Sequence, residues 1–253
     1  MRVLVITVAG IASRFSKSLG YSVLKCIYYP KSPKETLLYK MIHSLEEFDK
    51  YIIVGGFEFE ALKAYVEQEL SDLKDKIILV NNPYYREYGS GYSLYLGLKE
   101  IVHSDFDEVL FAEGDLFVDK SSLKRVVDSP RSVLTITNSP VMAEKSVAVY
   151  CDSEWKLHYI FDTNHGLLRI NEPFKAIYNS GQIWKFIDTS HFRKSFESLS
   201  ENDWQGTNLN FIQKYFGSLD ASEYEIIDFK TWINCNTVQD FEKSLDYNSS
   251  AIP

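Results

Sequence analysis

The residues best suited to chemistry stand near the beginning of the chain. An apolar run at 3–8 is followed by a loop of mostly small residues: Ala9, Gly10, Ile11, Ala12 and Ser13. Two cations come after it, Arg14 and Lys25. Such a loop lets backbone amides approach a polyphosphate, and the cations neutralise its charge, so the segment predicts a nucleotide site. An ordinary turn with a surface arginine is the alternative interpretation of the loop taken alone.

Two carboxylates follow another apolar run, at 109–112. They are Glu113 and Asp115, separated by Gly114. A carboxylate at a strand end beside an anionic ligand is readily explained by Mg²⁺ shared with phosphate oxygens, and Asp115 is the predicted ligand. The alternative is that Asp115 caps a helix beginning near Asp119 or Lys120.

The segment 81–93 offers contacts for a base or ribose. Its glycines permit close backbone approach, and its hydroxyls and amide can form hydrogen bonds. The candidates are Asn82, Gly89, Ser90 and Ser93. A simple loop with a helix cap is the competing explanation.

A polar segment near the C-terminus, at 234–240, precedes the last predicted helix. Asn236 is a second predicted metal ligand through its amide oxygen, and Thr237 is a predicted helix cap. Capping alone would also explain this segment.

The elements that position these residues alternate along the first half of the chain. Short Val/Ile-rich runs predict strands at 3–8, 51–54, 77–80 and 108–112, and amphipathic stretches predict helices at 33–48, 58–70 and 92–103. This alternation predicts βαβ units and a parallel sheet. Ligands bind beyond the carboxyl ends of such strands, so the loops 9–22, 81–91 and 113–119 are expected to form one cleft.

After residue 119 the pattern changes. Strands are predicted at 132–137, 146–150, 156–161 and 176–186 without crossover helices, which indicates antiparallel pairing, and helices at 189–199, 207–216 and 238–245 with a strand at 225–228 follow. The prediction is one α/β domain over 1–253, with a mixed central sheet and a small antiparallel subregion. Residues 1–119 form its nucleotide-binding half and 120–253 its acceptor-binding half.

Composition narrows the partners. With a formal net charge of −8, the chain lacks the basic surface that nucleic-acid binding requires. A small anion remains possible as a ligand. Three widely separated cysteines suggest neither a disulfide framework nor a zinc site, and a reducing cytoplasm is expected. The opening apolar run is too short for a signal peptide, and no run approaches the about 20 apolar residues of a membrane span.

The motifs, in their order and spacing, resemble a known family over almost the whole chain. The family comprises the nucleotidyltransferases that join a nucleoside triphosphate to a small phosphorylated metabolite, including sugar-phosphate, phosphocholine and phosphonate cytidylyl- and uridylyltransferases. The resemblance rests on Ala9-Gly10, Arg14-Phe15, Leu24-Lys25, Ser93-Leu94, Gly114-Asp115 and Asn236-Thr237-Val238-Gln239-Asp240.

The resemblance implies a Rossmann-like, three-layer fold of the GT-A type and cytidylyl transfer from CTP with Mg²⁺ as cofactor. Arg14 and Lys25 would be catalytic, and Asp115 and Asn236 would hold the metal. Glu172 and Asn179 are expected on the acceptor side. Because Glu172 stands where sugar-specific relatives often carry a lysine, an amine-bearing acceptor is favoured: phosphoglutamine of a capsule pathway, then phosphocholine or phosphoethanolamine.

The chain also departs from the family pattern. Ala12 replaces a common glycine, Leu24 an expected proline, and Asn234 a carboxylate often found before the terminal Asn or Asp. Two other enzymes remain as alternatives, a sugar-1-phosphate nucleotidyltransferase and a glycosyltransferase that would use Glu113 and Asp115 at a metal. A nucleotide-binding regulator without catalysis is the non-enzymatic alternative.

Overall fold

The computed structural model describes residues 1–45, 47–143, 146–161 and 168–249. Within these ranges, the helices are all too short or too polar to cross a bilayer.

The first half alternates strands and helices as predicted. Its strands are β1 Arg2–Thr7, β2 Lys50–Gly55, β3 Ile77–Asn81, β4 Glu108–Glu113 and β5 Leu116–Val118. Its helices are α1 Ser13–Leu19, α2 Leu37–Ser44, α3 Phe59–Glu69 and α4 Ser90–Lys99, with short 3₁₀ turns at Lys25–Ile27, Pro33–Glu35 and Ser71–Leu73.

The second half carries longer strands and a helical segment. Its strands are β6 Ser132–Thr137, β7 Ala148–Asp152, β8 Leu157–Tyr159, β9 Phe174–Phe186, β10 Tyr224–Phe229 and β11 Trp232–Asn234. Its helices are α5 Lys120–Asp128, α6 Thr189–Glu197, α7 Glu201–Gln205, α8 Leu209–Phe216 and α9 Val238–Ser249.

The central sheet is mixed, which confirms the predicted fold class. Its strand order is β10-β6-β9-β4-β1-β2-β3. Strands β3, β2, β1 and β4 pair in parallel, whereas β9 pairs antiparallel with β4, β6 and β7. The antiparallel pairing expected among the strands at 132–186 is confirmed, whereas β10, for which no direction was predicted, is parallel to β6. Helices α6 to α8 connect β9 to β10 along the chain. Strand β10 lies at the edge of the sheet beside β6 and runs opposite to β9.

Several segments differ locally from the prediction, and α7 at Glu201–Gln205 was not predicted. The loop at 9–22 contains α1, and the loop at 113–119 contains β5, which pairs with β11. The helix predicted at 33–48 is divided at Thr36. The backbone of Thr36 is extended, and its side-chain oxygen accepts a hydrogen bond from the Tyr39 amide, so Thr36 is the N-cap of α2. That predicted helix also included Glu46, which lies outside the described residues.

Both faces of the sheet are covered by apolar side chains. Along β1, Leu4 and Ile6 belong to one apolar cluster, while Val3 and Val5 belong to another. Alternating residues of one strand thus enter two cores, as expected for a sheet buried on both sides. The continuous apolar run at 3–8 reflects this burial, and the sheet holds the carboxyl ends of its parallel strands at one rigid edge.

The turn into α1 is strained. Ala12, at the N-cap of the helix, has φ 54° and ψ 39°, the left-handed region. This conformation costs a residue with a Cβ about 1–2 kcal/mol, which exceeds the extra entropy that glycine loses on folding.

We therefore expect Ala12→Gly to raise the free energy of unfolding by about 0.5–1 kcal/mol in urea titrations. Ala9→Gly is the matched control, because Ala9 is buried outside the left-handed region, and its substitution should lower stability. A lower stability of the Ala12 variant would contradict this account of the turn.

Candidate functional site

A cleft of about 350 Å³ opens at the carboxyl ends of β1, β3 and β4. The three loops expected to meet there do so. Its lining includes most of the predicted site residues: Ala9, Gly10, Ala12, Ser13, Arg14, Lys25, Asn82, Gly89, Ser90, Ser93, Asp115 and Asn236. The cleft thus gathers both predicted catalytic cations and both predicted metal ligands.

Helix capping does not account for Asp115 or Asn236. Asp119 caps α5 by accepting a hydrogen bond from the Ser122 amide at 2.9 Å, so the alternative assignment of Asp115 as that cap is wrong. The amide of Asp240 donates to Thr237 Oγ1 at 3.2 Å, while Thr237 donates back to the Asp240 carboxylate. The side chains of Asp115 and Asn236 remain available to the cleft.

Lys25 and Asp115 form an ion pair across the cleft. Lys25 Nζ lies 2.8 Å from Asp115 Oδ2, and both side chains are mostly buried. The second oxygen, Asp115 Oδ1, is buried and has no hydrogen-bond partner among the described residues. A buried carboxylate oxygen without a partner is costly, which indicates that a ligand belongs there.

Leu24 explains how the chain keeps Lys25 in place without the expected proline. Leu24 has φ −77°, a value that proline also adopts, and its side chain is buried in the core. The packing of the Leu24 side chain in the core therefore fixes the backbone where the ring of a proline would otherwise do so.

Arg14 supplies a cation of a different kind. It lines the cleft from α1 and is exposed. A guanidinium on a seven-residue helix at the cleft mouth can approach a ligand phosphate with several donors.

Glu113 lies deeper in the cleft. Asn208 Nδ2 donates to its Oε1 at 2.8 Å, and Gln182 Nε2 donates to its Oε2 at 2.7 Å. Burial, with the negative charge of Asp115 nearby, raises the pKa of the Glu113 carboxyl to about 7, against the opposing hydrogen bond from Asn208. Both oxygens are thus engaged within the protein.

The donor set at Asp115 fits Mg²⁺ rather than a softer metal. Among the described residues, no group of three or more His, Cys, Asp or Glu side chains is arranged to hold a metal alone. Mg²⁺ typically takes one or two carboxylates and completes its shell with substrate phosphates and water. One carboxylate with an unpartnered oxygen, beside the amide of Asn236, matches this requirement.

The loop at 81–93 is fixed by internal hydrogen bonds. Asn82 Nδ2 donates to Ser93 Oγ at 2.9 Å, and the Asn208 amide donates to Ser90 Oγ at 3.1 Å. Each hydroxyl therefore accepts a bond and keeps its own proton for a ligand. A Cβ on Gly89 would overlap the Gly206 carbonyl, so glycine permits this loop to pack against the α7–α8 connection.

Gly114 permits the close approach of β4 and β1 beneath the cleft. A Cβ at this position would overlap the Val8 side chain and lie 3.0 Å from the Thr7 carbonyl oxygen. We expect Gly114→Ala to lower the free energy of unfolding by about 2 kcal/mol, because overpacking forces the strands apart.

Gly10→Ala provides the comparison for this prediction. A Cβ at Gly10 meets no atom within 4 Å, so urea unfolding should be nearly unchanged. Equal stability of the two variants would contradict the tight contact at Gly114.

Three predicted site residues lie elsewhere. Ile11 is exposed beside the cleft and is not part of its lining. Glu172 is exposed and accepts a hydrogen bond from the Tyr150 hydroxyl, and Asn179 is buried in β9, where its amide donates to Thr137. The structure does not bring these three to the cleft wall.

Among the cleft residues that were not predicted as part of the site are Tyr85, Tyr88 and Asn208. The two tyrosines lie within the predicted loop at 81–91, so their position was a usable signal. Asn208 comes from the acceptor half and carried no such signal.

The fold is that of known nucleotidyltransferases. The chain is similar to an inositol-1-phosphate CTP transferase from T. maritima, with 17% identity and a TM-score of 0.67 over 100% of this chain and 98% of the other. It is also similar to a protein assigned as a glucose-1-phosphate thymidylyltransferase from Bacillus anthracis, with 12% identity and a TM-score of 0.69. That match covers 100% of this chain and 97% of the other. A CTP:phosphocholine cytidylyltransferase from Streptococcus pneumoniae shows 18% identity and a TM-score of 0.57, over 98% of this chain and 100% of the other.

The sequence itself belongs to a family described as a domain of unknown function, DUF6564, whose model matches residues 21–248. No curated protein sequence matches the chain.

Proposed function

We propose that the chain is a Mg²⁺-dependent cytidylyltransferase that transfers CMP from CTP to a small phosphorylated acceptor and releases pyrophosphate. The observation that carries the proposal is the Lys25–Asp115 pair at 2.8 Å, in a cleft that Arg14 also lines. Two cations beside a carboxylate with one free oxygen suit a triphosphate accompanied by a divalent cation.

The reaction is an in-line displacement at phosphorus. A phosphate oxygen of the acceptor forms a bond to the α-phosphorus of CTP, and the bond to the β-phosphate oxygen breaks. Arg14 binds the triphosphate, and Lys25 faces the α-phosphate and the incoming oxygen. Together they hold two mutually repelling anions in register.

Asp115 and Asn236 are the residues proposed to hold Mg²⁺. When bound, the ion supplies charge neutralisation for the triphosphate and the leaving pyrophosphate. The unpartnered Asp115 Oδ1 supports this assignment, and it leaves Oδ2 for Lys25.

The nucleoside is proposed to lie against the two small-residue loops. The loop at 9–13 provides backbone groups, and Ser90 and Ser93 provide hydroxyl donors. Cytosine differs from uracil at one exocyclic group that backbone atoms can recognise, so a nucleotide screen identifies the base.

The acceptor is proposed to be an amine-bearing phosphorylated metabolite: phosphoglutamine first, then phosphocholine or phosphoethanolamine. Glu172 motivates the amine, because a carboxylate attracts an ammonium group and repels a phosphate. It lies outside the cleft lining, so the amine requirement is to be tested separately from cytidylyl transfer.

Glu113 bears on the glycosyltransferase alternative. That alternative would use Glu113 and Asp115 together at a metal, yet both Glu113 oxygens accept hydrogen bonds from Asn208 and Gln182. The arrangement therefore favours nucleotidyl transfer, with Asp115 as the carboxylate that contacts the cation.

The test is a pyrophosphate-release screen. CTP and UTP are combined with phosphoglutamine, phosphocholine, phosphoethanolamine and sugar phosphates, with and without excess EDTA. We expect pyrophosphate with CTP and one amine-bearing acceptor, and its loss in EDTA. Release of free nucleotide from a nucleotide sugar would indicate a glycosyltransferase, and tight CTP binding without turnover would indicate a regulator.

A further inference from the structure

Four polar side chains from distant parts of the chain form one hydrogen-bonded relay, of which Glu113 and Asn208 line the cleft while Gln182 and Asn234 lie outside its lining. Asn208 and Gln182 donate to the two oxygens of Glu113 at 2.8 and 2.7 Å. Asn234 Nδ2 in turn donates to Gln182 Oε1 at 3.2 Å. The relay ends at Asn234 Oδ1, a buried oxygen that no described donor reaches.

The direction of the relay follows from the carboxylate at its centre. Both Glu113 oxygens accept hydrogen bonds in the structure, so Gln182 turns its NH₂ group toward Glu113. Its carbonyl oxygen then faces Asn234, which must answer with its own NH₂ group. The Asn234 Oδ1 is consequently directed away from the relay as an acceptor.

The backbone of Gln182 is strained in support of this arrangement. Gln182 is buried and has φ 58°, in the left-handed region that a residue with a Cβ rarely adopts. Neighbouring Gly181 is fixed by a 2.9 Å bond from Trp232 Nε1 to its carbonyl oxygen. The chain therefore sustains an unfavourable conformation at the residue that joins Glu113 to Asn234.

Two unpartnered acceptor oxygens belong to adjoining segments. The Cys235 amide donates to the Asp115 carbonyl oxygen at 2.9 Å, which holds the backbone next to Asn234 against that of Asp115. Asp115 Oδ1 and Asn234 Oδ1 are both buried without a described hydrogen-bond partner. Buried oxygen acceptors without donors are atoms of the type that a divalent cation takes as ligands.

We propose that Glu113 and Gln182 are positioning residues, which fix the Asn234 amide so that its Oδ1 and the Asp115 Oδ1 are presented together to the divalent cation. The inference rests on the proposed function for the presence of that cation. It assigns to Glu113 an indirect role, through Gln182, and to Asn234 a direct contact with the ion. Outer-shell partners of this kind typically change metal affinity by about 10–100-fold.

The first test separates orientation from charge. Gln182→Met removes the amide and leaves the charges of Glu113 and Asp115 in place, with exposed Gln68→Met as the matched control. Affinity for Mn²⁺ alone is measured by electron paramagnetic resonance of the free ion. We expect Gln182→Met to weaken binding about tenfold and Gln68→Met to leave it unchanged.

The second test reverses the relay. In Glu113→Gln with Asn234→Asp, the new Asp accepts from Gln182, whose carbonyl oxygen accepts from the new Gln, and the total charge is that of the wild type. Each donor again has an acceptor. We expect the double variant to bind Mn²⁺ at least about tenfold more tightly than the two single variants predict by addition.

The outcomes are decisive for the relay. Wild-type Mn²⁺ affinity in a folded Gln182→Met variant would overturn it. Additive effects of the two substitutions in the double variant would also overturn it, because the charges of the side chains would then explain the affinities without any orientation of the Asn234 amide. If Gln182→Met does not fold, the double-variant comparison decides. Absence of Mn²⁺ binding by the wild type would also overturn it, while the pyrophosphate-release screen would still judge cytidylyl transfer independently.

Discussion

Asp115→Ala is expected to lower the rate of pyrophosphate release by about a thousandfold or more, the largest loss for any single substitution in the cleft. Asp115 contacts Lys25 with one oxygen and presents the other without a described partner. Its removal takes away the proposed metal contact and the partner that positions Lys25. The measurement is steady-state turnover with CTP over a range of Mg²⁺ concentrations.

Asp75→Ala is the control for this loss. Asp75 is exposed in the turn before β3, at the end of the strand opposite the cleft, and its substitution should leave turnover unchanged. Urea unfolding verifies that the Asp115 variant is folded, because removing one partner of a mostly buried ion pair leaves the Lys25 charge uncompensated. Turnover within about tenfold of wild type in a folded Asp115 variant would remove this residue from the mechanism.

Lys25→Ala is expected to lower turnover by about a hundredfold, the typical effect of removing one preorganised charge donor. The Lys25 ammonium is mostly buried beside Asp115, where its charge is weakly screened by water. Arg14→Ala should have an effect of similar size, through weaker binding of the triphosphate. Turnover and KM for CTP are measured for both variants.

Lys17→Ala is the matched control, because Lys17 is an exposed cation of the same helix as Arg14 and is not part of the cleft lining. It should leave turnover unchanged. Near-normal kinetics in both the Arg14 and the Lys25 variants would mean that neither cation acts on the triphosphate.

The sequence was sufficient to predict the elements of the sheet core. Strands such as β1 are continuous apolar runs because their side chains enter two cores, and this signal is local. Short elements were missed because they carry little pattern. In α1, for example, Phe15 is the one residue that is buried, and β5 has only three residues.

Strand direction depended on information that a single segment does not contain. The parallel pairing of β10 with β6 is set by the helices that precede β10 and return the chain to the edge of the sheet. A rhythm of strands can predict antiparallel neighbours, but it does not identify the partner of the last strand.

The site was predictable where its residues sit next to strand ends. Arg14 and Asp115 follow recognisable apolar runs, Lys25 comes further along after α1, and the folded chain brings all three together at the cleft. The relay from Asn208 to Asn234 was not predictable, since Glu113 bonds to residues 95 and 69 positions away. Glu172 shows what a local charge alone does not reveal, because the folded chain places it outside the cleft lining, where the Tyr150 hydroxyl donates to it.

The most direct test of the account is a crystal structure of the chain with Mn²⁺ and a non-hydrolysable CTP analogue. We expect the triphosphate within hydrogen-bond distance of Arg14 and Lys25, and an anomalous Mn²⁺ peak against Asp115. A triphosphate bound away from these three side chains, or a metal peak without contact to Asp115, would contradict the central claim.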